Sequence, residues 1–130
     1  MLTDELRSIP LFQNLNDRQR ERAAERLQEI DVDLGAVIAR QGDCAYHLFV
    51  VREGTAAVTI DGELVTSLGP GSSFGEIGIL EHGRRTANVV AATPMRLLTM
   101  TVDDFEELAT ELPEFAGHAR AVAQLRLKRT

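Results

Sequence analysis

The chain has 130 residues, 44% of them hydrophobic and 26% charged, which suits one globular domain with one real core. A formal net charge of −6 argues against a general nucleic-acid binder, whose phosphate affinity rests on clustered Lys and Arg, and the single cysteine, Cys44, excludes an internal disulfide framework and any multi-cysteine metal site. No apolar run approaches the roughly 18 residues of a spanning helix, and the start, MLTDELRSIPLF, lacks a secretory apolar core. The expected setting is therefore the cytoplasm, with no membrane partner.

Both ends look helical and the middle looks like strands. Thr3-Asp4-Glu5 places a cap and acids at a helix start, and Pro10 ends that short helix. Asn16 with Gln19 predicts a capping box, and Ala23, Ala24, Leu27 and Ile30 form one apolar face behind it. From 31 to 102 the signals change. Val32, Leu34, Val37 and Ile38 surround Gly35, and the segments 47–51, 55–60, 63–68, 86–93 and 96–102 are short and rich in β-branched residues. Asp61-Gly62 between two of them predicts a type I′ hairpin. Short strands at even spacing predict a mainly β fold, a small antiparallel barrel or jelly roll. Helix returns at Asp103, with Phe105, Leu108 and Leu112 on one face. Pro113 suits a first helical position, followed by Phe115, Ala119 and Val122. The expected layout is one domain over 1–130: N-terminal helices to 30, a β-roll over 31–102, and C-terminal helices over 103–130.

The stretch 74–90, FGEIGILEHGRRTANVV, breaks the strand pattern. Gly75 and Gly78 weaken a strand, no alternation appears, and a short helical turn starting near Glu76 fits better. A helix N-terminus offers N–H groups and partial positive charge to an anion. Gly75 and Gly78 allow close approach to the backbone, and Arg85 on the following strand adds a guanidinium suited to phosphate. A carboxylate such as Glu76 would repel a bare phosphate. It makes sense where the ligand also offers a hydroxyl, as a ribose 2′-hydroxyl beside a 3′,5′-cyclic phosphate does. No Lys followed by Ser or Thr sits in a Gly-rich loop, so this is not a P-loop.

At these residues the chain resembles the cyclic nucleotide-binding domain family, of the kinase regulatory subunit and cyclic-nucleotide-gated channel type and also similar to the sensor domain of catabolite-activator-type regulators. The resemblance rests on a phosphate-binding cassette at 74–88: Phe74-Gly75-Glu76, the apolar run 77–80, Arg85-Thr86-Ala87 and Val89. The nine-residue spacing from Glu76 to Arg85 resembles that of kinase regulatory subunits and channels; the catabolite-activator type is one residue longer. "IPLFQNLN" (9–16), "QGD" (41–43), "LFVVREGTAAV" (48–58) and "VDDFEELATELPEF" (102–115) extend it over nearly the whole chain.

The resemblance implies a β-roll flanked by N-terminal helices and C-terminal lid helices. It implies that Glu76 binds the ribose hydroxyl, that Arg85 with the backbone at Ile77, Gly78 and Ala87 binds the cyclic phosphate, and that Thr86 supplies a hydroxyl near the phosphate and purine edge. Val58 and Leu68 match positions lining the base pocket, and Arg126 with Leu127 falls where lid contacts to the base come from. The ligand implied is cAMP, with cGMP as the alternative. The partner would be an unidentified effector domain or protein; no nucleic acid, cofactor or metal is expected, and no enzymatic activity.

Blander roles stand beside these. Glu76 and Arg85 could form a plain salt bridge, Arg84 reads as a solvated turn residue, Phe74 as core and Cys44 as a loop thiol. His47, His82 and His118 are scattered and no His-x-His occurs, so a metal-dependent cupin enzyme is a distant alternative. The basic tail LRLKRT fits a lid end, a helix terminus complementing its dipole, or the start of a linker. The alternative function is the sensor half of a catabolite-activator-type transcription regulator, or a domain of a channel, transporter or acyltransferase.

Overall fold

The computed structural model describes residues 2–44, 46–75, 85 and 87–129, with side chains through residue 121. Local chemistry sets the first elements. Helix α1 spans Leu2–Leu6, so Thr3 lies inside it rather than capping it. Pro10 opens a 3-10 turn, Pro10–Phe12, a position that asks no N–H of it. Asn16 caps α2 (Asp17–Glu25) by the expected box: its side chain accepts from the Gln19 amide and its own amide donates to the Gln19 side chain, both at 2.9 Å. The apolar face expected to run through Ile30 ends sooner, because α2 stops at Glu25 and Ile30 belongs to strand β1 (Gln28–Val32). A five-residue ladder to a strand near residue 97, Gln28↔Thr99 through Val32↔Met95, outweighs further helical propagation there.

The strands that follow are β2 (Val37–Ala39), β3 (His47–Glu53), β4 (Ala56–Ile60), β5 (Glu63–Leu68), β6 (Ser73–Phe74), β7 (Asn88–Ala91) and β8 (Met95–Thr101). They pair antiparallel in two four-stranded sheets, ordered β1-β8-β3-β6 and β2-β7-β4-β5. This is the two-sheet roll expected. At the β4–β5 turn, Asp61 (φ 51) and Gly62 (φ 84) both lie in the left-handed region, as a type I′ turn requires. Strand β6 gave no local signal: it is two residues long and exists through its pairing with β3, Phe49↔Phe74 and Val50↔Ser73.

Strand β3 is buried on both faces, and its two-residue period divides the core. Leu48 and Val50 face a cluster with the helices, where Phe12 and Phe115 stack at 5.7 Å between ring centroids. Phe49 and Val51 face the space between the sheets, with Phe74, Val89 and Leu97. The C-terminal helices close the first cluster. Thr101 caps α3 (Val102–Glu111), its hydroxyl accepting from the Asp104 amide at 3.1 Å, and Pro113 begins α4 (Pro113–Arg129) as its sequence position predicts.

Charged contacts tie these helices to the N-terminal ones. Arg26 donates to Glu107 and Glu111, both at 2.9 Å. Partial burial alone would lower the pKa of Arg26, but its hydrogen bond to Glu107 and the charge of Glu111 leave it raised, so the cation is secure. His118 on α4 contacts the Pro10 carbonyl through Nε2 and the Asn14 side chain through Nδ1, the latter at 2.9 Å.

Candidate functional site

The site forms where the QGD turn, the start of β3 and the end of β6 converge on Arg85. The Arg85 backbone is held first: its amide donates to the Asp43 carbonyl at 2.7 Å, and its carbonyl accepts from the Gly42 amide at 2.9 Å. Gly42 adopts φ 90, which lets the turn present both groups.

The guanidinium is then fixed from three sides. Nη2 donates to the His47 carbonyl at 2.6 Å and Nη1 to the Gly75 carbonyl at 3.3 Å. The guanidinium carbon lies 5.7 Å from the centroid of the Phe49 ring, within cation–π range. Phe49 in turn stacks on Phe74 at 5.0 Å with 18° between the rings. Gly75 has φ 94 and packs tightly here: a Cβ on it would sit 2.4 Å from Arg85 Nη1 and 2.7 Å from the His47 carbonyl oxygen.

A cleft of about 190 Å³ opens at this point, with Arg85, His47, Tyr46 and Asp43 beside the apolar Phe49 and Ala39. A cation at an apolar wall, with its planar fork already oriented, is suited to one oxyanion such as a phosphodiester. On the rim, a hydrogen bond to Cys44 holds the Tyr46 phenol above its ordinary pKa.

Of the residues singled out from the sequence, Gly75 and Arg85 meet in this structure. Phe74 is core, as expected. Val58, opposite Val89 and Thr66, and Leu68, opposite Ala56, join the apolar cluster between the sheets that also holds Phe49. They do not line this cleft. Ala87 immediately precedes β7. Glu76, Ile77, Gly78, His82, Arg84 and Thr86 lie outside the described residues, as does the side chain of Arg126, whose backbone continues α4. Sequence reasoning missed Phe49 and the His47 carbonyl. The apolar run Leu48–Val51 did not single out Phe49, and nothing local placed an arginine from residue 85 over it.

Comparison with known proteins is consistent across sequence and structure. The family model described as "Cyclic nucleotide-binding domain" matches residues 29–111. The human potassium/sodium hyperpolarization-activated cyclic nucleotide-gated channel 4 is 35% identical over 122 residues, 94% of this chain and 10% of that protein. The chain therefore spans about a tenth of the length of that relative. Among solved structures, the Thermus thermophilus catabolite activator protein aligns with a TM-score of 0.83 and 31% identity, over 92% of this chain and 58% of that one. The regulatory domain of Toxoplasma gondii PKA with cAMP aligns with a TM-score of 0.85 over 100% of this chain and 49% of that one; at 23% identity it speaks to the fold alone.

Proposed function

Because the chain belongs to the cyclic nucleotide-binding domain family, we propose that it is a non-enzymatic regulatory sensor for cAMP, with cGMP as the alternative ligand, acting in the cytoplasm as one domain. The observation that supports this most is Arg85: a guanidinium backed by an aromatic ring and oriented by two backbone carbonyls at the rim of the roll. In this reading Arg85 takes the cyclic phosphate together with the backbone at Ile77, Gly78 and Ala87, with Gly75 giving close approach. Glu76 accepts from the ribose hydroxyl, and Thr86 adds a hydroxyl near the phosphate. Val58 and Leu68 wall the base from the apolar cluster that adjoins the cleft at Phe49, and Arg126 comes from the lid.

The proposed output is movement of the C-terminal helices. Ligand shifts that equilibrium only by binding one arrangement more tightly than the other. The contacts that would have to rearrange are named ones: Arg26 with Glu107 and Glu111, and His118 with Pro10 and Asn14. Two identities of the effector have support. The channel relative favours a gating domain, and the catabolite activator alignment favours the sensor half of a transcription regulator.

Calorimetric titration with cAMP, cGMP and linear 5′-AMP tests the ligand. A site built for one phosphodiester charge beside a free 2′-hydroxyl binds cAMP and takes 5′-AMP far more weakly. Equal affinities for the two would refute it. Hydrogen exchange in α3 and α4 with and without the tighter ligand tests the coupling; unchanged protection in both helices would reject it.

A further inference from the structure

We propose that Phe49 is a positioning residue for the phosphate-binding arginine, acting through the negative face of its ring, with Phe74 holding that ring in place. The inference rests on the reading that Arg85 binds the cyclic phosphate.

The geometry that points to it has three parts. The guanidinium carbon of Arg85 stands 5.7 Å from the Phe49 centroid. Phe49 is 7% exposed and Phe74 4%, so the ring lies largely out of water, where a cation–π contact is strongest. The Phe49–Phe74 stack, 5.0 Å apart, joins residues that are also Cα partners in the β3–β6 ladder. Phe74 immediately precedes Gly75, whose carbonyl accepts from the same guanidinium. One short ladder therefore supplies both the aromatic face and a carbonyl acceptor, while His47, two residues before Phe49, supplies the second carbonyl.

The physical consequence concerns orientation. An arginine side chain loses about 2 kcal/mol of rotamer entropy when it is fixed. Supports made within the protein meet that cost before ligand arrives, and affinity rises through preorganisation. The carbonyl oxygens set the in-plane direction of the fork. The ring adds a contact to the guanidinium that the carbonyls do not supply. Leucine at this position retains apolar bulk and strand pairing but presents no quadrupole. The specific prediction is that the aromatic face matters, beyond burial.

Four variants and one analogue test it, each measured by cAMP calorimetry and by thermal unfolding. Phe49→Leu is expected to weaken cAMP about tenfold (about 1.4 kcal/mol), and Phe49→Tyr, which keeps the face, to stay within about twofold. Thermal unfolding of each variant, with the titrations run below its transition, separates a loss of stability from a loss of positioning. Should Phe49→Leu fail to fold, pentafluorophenylalanine at 49 nearly keeps the ring's shape and reverses the charge of its face; it is expected to weaken cAMP at least as much as Leu. Arg85→Ala distinguishes the two levels of the argument. Wild-type affinity in Arg85→Ala overturns the phosphate reading itself. Lost affinity in Arg85→Ala with wild-type affinity in Phe49→Leu, or in the fluorinated protein, overturns the role of Phe49 alone. In the Arg85→Ala background, Phe49→Leu is expected to change residual affinity little, whereas a full additional tenfold loss there overturns the coupling.

Discussion

Replacing Gly75 with alanine isolates how closely the turn before the cassette is fitted to Arg85. Two costs add. The first is conformational: φ 94 is a left-handed value that an L side chain adopts at a cost of roughly 1–2 kcal/mol. The second is steric. The new Cβ would lie 2.4 Å from Arg85 Nη1 and 2.7 Å from the His47 carbonyl oxygen. The guanidinium is the far end of a flexible side chain and can retreat, but the carbonyl belongs to the β3 backbone and cannot do so cheaply. Overpacking of this kind costs about 1–3 kcal/mol, for a total of roughly 2–5 kcal/mol. At roughly 4 °C per kcal/mol for a domain of this size, the expected fall in Tm is on the order of 8–20 °C. Gly71→Ala is the control, since Gly71 has φ 90 but nothing within 4 Å of the position of its Cβ. It bears the conformational cost alone, a fall of roughly 4–8 °C. Calorimetry on both variants adds a second readout. Gly75→Ala pushes the guanidinium off its carbonyls and weakens cAMP, whereas Gly71→Ala leaves affinity unchanged. Equal Tm values and equal affinities for the two variants would refute the reasoning.

Further expectations concern the ligand and the core. In the proposed reading the Glu76 carboxylate acts through the ribose hydroxyl, so Glu76→Gln should weaken cAMP but barely affect 2′-deoxy-cAMP; additive losses across the four affinities would remove Glu76 from the ribose role. Thr86→Ala should reduce cGMP affinity more than cAMP affinity, by about the 0.5–1.5 kcal/mol of one hydrogen bond, and parallel losses in the two titrations would reject a selectivity role. Phe115→Ala removes a fully buried ring stacked on Phe12 and should cost about 3–5 kcal/mol in denaturant unfolding; a loss under about 1 kcal/mol would mean that the helix cluster collapses around the gap.

Much of the molecule was legible because the controlling interactions are local. Asn16 and Gln19 are three residues apart and close their own box. Asp61-Gly62 specifies a turn through backbone conformations the two residues tolerate. Pro113 begins a helix because it has no N–H to satisfy. The stretch 74–88 was legible as a family resemblance, and the matched family model, which spans residues 29–111, includes it.

What tertiary structure alone decided lies at long range. Ile30 continues an apolar helical pattern, yet it sits in β1 because a strand near residue 97 offers it a ladder. Ser73–Phe74 is too short to favour a strand and becomes one beside β3. Arg85 was singled out by its neighbours in sequence, but Phe49 and the His47 carbonyl, which contact its guanidinium in the structure, lie more than thirty residues earlier. Local propensity and periodicity describe what a segment does alone, to within a few tenths of a kcal/mol per residue. A carbonyl brought to 2.6 Å from a guanidinium, or a ring beneath it, depends on how two sheets close on each other. That closure is set by the sum of the apolar contacts between the sheets, which no single stretch of the chain contains.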